Sequence, residues 1–231
     1  MHVVLPEPLS CELYGYRFFE EGLSAFMLAT VQPGYRVYDV GAHYGYFTRL
    51  ASLLVGPSGT VHSFEPTPSS FSRLLQNTGD LANVTCNNAA LWHKREMLHM
   101  TDFGTKLSMY NSLLAPRMGM PDGVAGVKIK VQALGLDEYA DLAGTPDFVK
   151  IDAESAEWHI LQGMSGVLKV KRPIVTIEVG DFGIVGAARS RALLDYVIDY
   201  GYTPFEYRDG RLVPHVLKDA YGYDNILLRA A

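Results

Sequence analysis

The stretch VYDVGAHYGYF, positions 37–47, constrains the fold more than any other part of the chain. An apolar run carrying Asp39 breaks at Gly41, a second glycine follows at Gly45, and apolar residues then resume at helical spacing. Residues 36–40 read as a short buried strand. After the glycines, Phe47, Leu50, Ala51 and Leu54 fall at i, i+3, i+4 and i+7, which is one helix face, and Gly56-Pro57 stops it. Strand, glycine turn and helix in this order open an α/β sheet whose ligand crevice lies beyond the carboxyl ends of its strands.

The unit repeats. TVHSFEP (60–66) predicts a second strand, and Thr67-Pro68 an N-cap with proline at the first helical position, opening a helix with Phe71, Leu74 and Leu75 inward. Residues 83–88 predict a third strand, 148–152 a fourth, and PIVTIEV (173–179) a fifth that is apolar on both faces, as a doubly covered parallel strand requires. Helices are expected at 156–164 and 187–200, followed by strands at 203–207 and 225–229 that can pair as an antiparallel edge. Alternating strands and helices predict a mostly parallel sheet with right-handed crossovers. Residues 96–131, rich in Met, Gly and Pro, break the rhythm and read as an insertion over the site, and residues 1–33 as an N-terminal helical segment. The whole of 1–231 is expected to be one domain.

Composition narrows the partners. A formal net charge of −5 and a pI near 5.8 argue against an electrostatic grip on nucleic acid or anionic lipid. Two cysteines, Cys11 and Cys86, make no disulfide framework, and no apolar run approaches the ~18 residues that span a bilayer. A cytoplasmic protein is expected.

Two cofactor classes use a glycine turn after the first strand and an acid at the end of the second, here Glu65. A dinucleotide site needs G-x-G-x-x-G so that backbone can approach the pyrophosphate. Counted from Gly41, the middle glycine is His43 and the last is Tyr46. An imidazole stands where a diphosphate would touch backbone. S-adenosyl-L-methionine has no phosphate, and Glu65 can accept charge-assisted hydrogen bonds from its ribose hydroxyls.

The blocks VYDVGAHYGYF, FEPTP, Asn88-Ala89-Ala90-Leu91, LDEY (136–139), VKIDAESAEWHIL and RPIVTIEV together resemble the FkbM family of S-adenosylmethionine-dependent methyltransferases, in family order over roughly residues 13–229. The resemblance implies a class I, Rossmann-like methyltransferase fold: a seven-stranded, mostly parallel sheet with helices on both faces and an antiparallel edge strand. It implies methylation of a hydroxyl on a small natural product, polyketide or sugar. Carried over by position, Asp39, Gly41, His43 and Gly45 form the first cofactor motif, Glu65-Pro66 the ribose motif, Ala90 the adenine-side loop, and Lys150, Asp152 and Glu157 the motif after the fourth strand. Two departures stand out. His43 replaces the family's usual Asn, and Ser155 replaces a Gly, so the backbone at Ser155 either avoids a positive φ or tolerates it at some cost.

Methyl transfer to an alcohol needs alignment and a general base. Candidates at the strand ends are His43, Asp152, Glu154 and Glu178. Asp152 is favoured, with Glu154 or Glu178 steering the acceptor. Asp152, Glu154, Glu178 and Asp181 also make a set of oxygen donors that magnesium or calcium accepts, but no metal is assigned. Glu157 is read as an outward helix charge, and His93, His99 and His159 as structural. Tyr14, Tyr16, Phe18 and Phe19 are candidates for the site entrance. Two rival readings stay open: a nucleoside-binding module without transferase activity, and an NAD-dependent oxidoreductase. The acceptor and the presence of a homo-oligomer are left open.

Overall fold

The computed structural model describes residues 1–114, 123–208 and 210–230. Two helices come first, α1 (Pro8–Tyr16) and α2 (Glu21–Thr30), then β1 (Arg36–Val40), α3 (Tyr46–Val55), β2 (Thr60–Phe64), α4 (Pro68–Thr78) and β3 (Val84–Asn87). Three strands follow, β4 (Ala90–Trp92), β5 (Glu96–Asp102) and β6 (Val127–Gly135), and then α5 (Leu136–Ala143), β7 (Phe148–Ile151), α6 (Glu157–Gln162), α7 (Ser165–Val170) and β8 (Ile174–Val179). Last come α8 (Ser190–Asp199), β9 (Tyr202–Arg208), β10 (Arg211–Pro214) and β11 (Asp224–Ala230).

The main sheet runs β10-β9-β11-β8-β7-β1-β2-β3. Strands β3, β2, β1, β7 and β8 are parallel, and β11, β9 and β10 join antiparallel at one side. This is the expected class I fold, with β9 and β11 pairing as anticipated. Strand β10 adds an eighth member, and β4, β6 and β5 form a separate three-stranded sheet.

Side chains alternate between two cores, as the pleat of a strand dictates. Tyr38, Phe64, Val149 and Leu228 point into a cluster with Leu136, Ile160, Leu168 and Leu194. Their neighbours Val37, Val61, Phe148 and Leu227 point the other way, against Leu23, Phe26, Phe47 and Val55. Both faces are covered, and the parallel strands carry apolar side chains toward each.

Several local expectations are corrected. Of the three residues expected inward, Leu74 is buried, Phe71 half-buried and Leu75 exposed. The helix expected at 156–164 ends at Gln162, and α7 starts at Ser165. Gly163 makes that break: a Cβ there would stand 1.9 Å from the carbonyl oxygen of Trp92. Tyr14, Tyr16 and Phe18 are exposed, and of the four N-terminal aromatics considered for the entrance only Phe19 lines the cavity that holds Gly41 and Glu65. Of the Met-rich segment, residues 115–122 lie outside the described residues; its flanks are β5 and β6, with a 3-10 turn at Thr105–Tyr110. Cys11 and Cys86 are free thiols. Among the described residues no helix is long and apolar enough to cross a membrane.

Candidate functional site

The loop after β1 is folded back onto β2: the amides of Gly41 and Ala42 both donate to the Phe64 carbonyl, each at 3.0 Å. Gly41 has φ 73°, and a Cβ there would meet the Asp152 carbonyl oxygen at 1.7 Å. Glycine is therefore demanded twice, by backbone conformation and by space. His43 also lies in the left-handed region, at φ 49°, which Asn and His tolerate better than most residues. That shared tolerance accounts for a His in place of an Asn.

This bend brings the His43 amide to Glu65, where it donates to Oε2 at 3.0 Å; the Thr67 amide donates to Oε1 at 2.8 Å. Glu65 is buried, and burial pushes its carboxyl up to about 7 against the opposing pull of those donors. A carboxylate offers about four acceptor positions, so each oxygen keeps one for a ligand. The His43 ring stacks on Tyr44 at 3.9 Å between centroids, and its Nε2 lies 2.7 Å from Ser108 Oγ in the 3-10 turn. Burial lowers its proton affinity to about 4, so the ring is neutral at pH 7.

At the end of β7, Lys150 is buried and donates to the Gly41 carbonyl at 3.0 Å. Its Nζ lies 3.2 Å from Asp152 Oδ2 and 3.5 Å from Asp39 Oδ1. Burial opposes its charge, but Asp152, Asp39 and Glu20 outweigh that and hold its proton more tightly than usual. Asp39 Oδ2 accepts from Thr48 Oγ1 at 2.6 Å. The loop beyond β7 has two successive residues in left-handed conformation, Glu154 (φ 49°) and Ser155 (φ 79°). Ser155 thus adopts the positive φ that a glycine would suit. Glu157 is buried rather than outward: its Oε1 accepts from the Ala153 and Ser155 amides and holds this turn closed. Asp181 is likewise occupied, accepting from the Ser190 and Tyr221 amides.

These ends surround a cavity of ≈ 580 Å³, within the range typical of small-molecule sites. Of the residues expected at the site, Gly41, His43, Glu65, Pro66, Ala90, Asp152, Glu154 and Glu178 line it. Asp39 and Gly45 do not. Asp39 acts through Lys150 and Thr48, and Gly45 (φ 87°) begins α3 packed against Leu74 Cδ1, 2.7 Å from where its Cβ would lie. Among the described residues no cluster of three or more His, Cys, Asp or Glu side chains is placed to hold a metal ion.

The cavity wall also contains residues that sequence reasoning missed. Glu20, between α1 and α2, lines it together with Tyr223 and Phe182. Burial, then the charge of Asp152, raises its carboxyl to about 7. Ser70 Oγ and Asn111 Nδ2, on two further lining residues, are buried with no hydrogen-bond partner among the described residues. The Asn111 amide is oriented by the Phe103 amide, which donates to its Oδ1 at 2.7 Å. No short sequence pattern marks any of these.

The arrangement suits an adenosyl ligand without phosphate. A buried acid meets the crevice at the end of β2, a glycine brings backbone to it at β1, small apolar residues (Ala89, Ala90, Ala153, Ala156) wall one side, and orphan polar groups await partners. The methyltransferase FkbM domain model matches residues 39–204. No curated protein matches the sequence. Among solved structures, methyltransferase FkbM from Methylobacillus flagellatus is 16% identical with a TM-score of 0.57, over 95% of this chain and 51% of that one. The chain thus spans about half the length of that protein. An rRNA methylase from Streptococcus thermophilus gives 14% identity and a TM-score of 0.52, over 92% and 98% of the two chains. Fibrillarin from Aeropyrum pernix, solved with natively bound S-adenosyl-L-methionine, gives 14% and 0.50, over 90% and 73%. At such identities the likeness is one of fold, while the domain match covers most of the chain: it belongs to the FkbM family of S-adenosyl-L-methionine-dependent methyltransferases.

Proposed function

We propose that residues 1–231 act as one cytoplasmic unit that methylates a hydroxyl group of a small molecule, such as a sugar, a polyketide or another natural product. The observation that supports this most is that Glu65, Asp152, Glu154 and Glu178 all line one cavity of ≈ 580 Å³.

S-adenosyl-L-methionine supplies a methyl group already activated on a sulfonium. Glu65 takes the ribose hydroxyls, Gly41 lets backbone close on the ligand, and Pro66 and Ala90 flank the base. Alignment then supplies much of the acceleration, on the order of several kcal/mol. Asp152 accepts the proton of the acceptor hydroxyl, held beside Lys150, while Glu154 and Glu178 steer the acceptor. His43, neutral and tied to Ser108, organises the loop and takes no part in proton transfer.

A polyanionic acceptor fits poorly. Binding of nucleic acid rests on clustered Lys and Arg, whereas this chain carries a net charge of −5 and presents carboxylates to the cavity. The likeness to an rRNA methylase and to fibrillarin concerns the sheet, which hosts many acceptors.

The test pairs binding with product. Calorimetric titration should show S-adenosyl-L-methionine binding and no comparable response to NAD; the reverse pattern sinks the reading. Incubation with labelled cofactor and a panel of hydroxylated small molecules should give a methyl ether by mass spectrometry. The product should vanish in Asp152→Asn even at saturating cofactor.

A further inference from the structure

Glu20 occupies the N-cap position of α2, yet its side chain makes no capping hydrogen bond. It turns instead across the chain: Tyr223 donates its hydroxyl to Oε1 at 2.9 Å and Asn225 its amide to Oε2 at 3.1 Å. Each carboxylate oxygen is thus oriented by one donor, and the residue lines the cavity close enough to Asp152 and Lys150 for their charges to act on it. The positive charge already there is committed: the Lys150 ammonium group donates to Gly41 and faces both Asp152 and Asp39. The charges of Asp152, Asp39 and Glu20 thus all act on one lysine. Mutual repulsion within such a group favours either protonation or a second cation.

The order of strands says where that cation comes from. Glu65 follows β2, Gly41 follows β1, and Asp152 follows β7; these strands are neighbours in the sheet. At about 4.8 Å per strand, two spacings separate the ribose acid from the end of β7, about 10 Å. A nucleoside anchored at Glu65 whose side arm crosses Gly41 brings the end of that arm to Asp152, near enough to Glu20 for the charges of the two acids to interact.

We propose that Glu20 receives the α-ammonium group of the cofactor's methionine arm in the space it shares with Asp152. This rests on the methyltransferase reading above. The N-terminal segment then contributes a ligand contact from outside the span matched to the family, residues 39–204. Tyr223, just before β11, and Asn225 within it position that contact.

The full chain and its Glu20→Gln variant are titrated calorimetrically with three compounds. S-adenosylhomocysteine has the whole amino-acid arm, decarboxylated S-adenosylmethionine has the ammonium but no carboxylate, and 5′-methylthioadenosine lacks both. We expect the variant to bind the first two about tenfold or more weakly, and methylthioadenosine within twofold of wild type. Unchanged affinity for S-adenosylhomocysteine overturns the proposal. So does a parallel loss for all three, which makes Glu20 a support for the fold or the adenosine end. A loss confined to S-adenosylhomocysteine assigns the contact to the carboxylate and also overturns it. Wild-type protein that binds none of the three removes the methyltransferase reading itself, a result distinct from all of these.

Discussion

The carbonyl oxygen of Asp152 lies 1.7 Å from the point where residue 41 would carry a Cβ. Two strand ends are thereby locked at the closest distance backbone permits. Gly41→Ala must move one of them and also strain a left-handed backbone at φ 73°, so a loss of about 3 kcal/mol or more is expected. Gly45→Ala presses on the flexible tip of Leu74 instead and should lose about 1–2 kcal/mol. Urea denaturation of the two variants side by side checks the order.

Ser155→Gly should stabilise the protein. Ser155 pays for a φ of 79° that glycine adopts freely, and relief of the left-handed penalty is on the order of 1 kcal/mol. For a chain of this size that is about 2–4 °C in melting temperature. Thermal melts decide it, and an unchanged or lower midpoint refutes it.

Lys150→Met should destabilise by about 3–5 kcal/mol, the usual result of stripping one partner from a buried ion pair. Asp39 and Asp152 would lose the ammonium that lies 3.5 and 3.2 Å away. Urea denaturation of the variant beside the wild type tests this.

The cofactor should bind more tightly as pH rises. The Glu65 carboxyl is raised from 4.5 to about 7, and only its ionised form makes charge-assisted bonds to ribose hydroxyls. Affinity therefore climbs through pH 7 and levels above it. Stability of the free protein moves oppositely. The folded state holds this proton more tightly than the unfolded one, so the contribution is complete below 4.5, falls through 7 and is gone above. Calorimetry at pH 6 and pH 8 should show roughly tenfold tighter binding at the higher pH, with the slope flattened in Glu65→Gln.

Much of the sheet was legible because its signals are local. A glycine turn after an apolar strand, an acid at FEPTP and the apolar periodicity after each loop depend only on neighbours in sequence. The parts that escaped depend on distance. Glu20 meets Tyr223 across 203 positions, and nothing near Glu20 announces that its carboxylate deserts its own helix. Glu157 reads as a surface charge from helical position alone; its burial follows from a tight turn whose two amides need an acceptor. The break at Gly163 comes from the approach of Trp92 on another strand. Strand β10, four residues with a terminal proline, is too short for its pattern to stand out.

The cavity joins a floor and a cover of different construction. Its floor is made of strand ends locked into parallel ladders, while the cover is assembled from the α1–α2 junction and the 3-10 turn at Thr105–Tyr110, segments outside the main sheet. Floor amides exchange with solvent deuterium only when the whole molecule unfolds, whereas amides in a cover open locally. Occupancy of the crevice will therefore register in the cover: deuterium uptake there slows, and the ladders report nothing new.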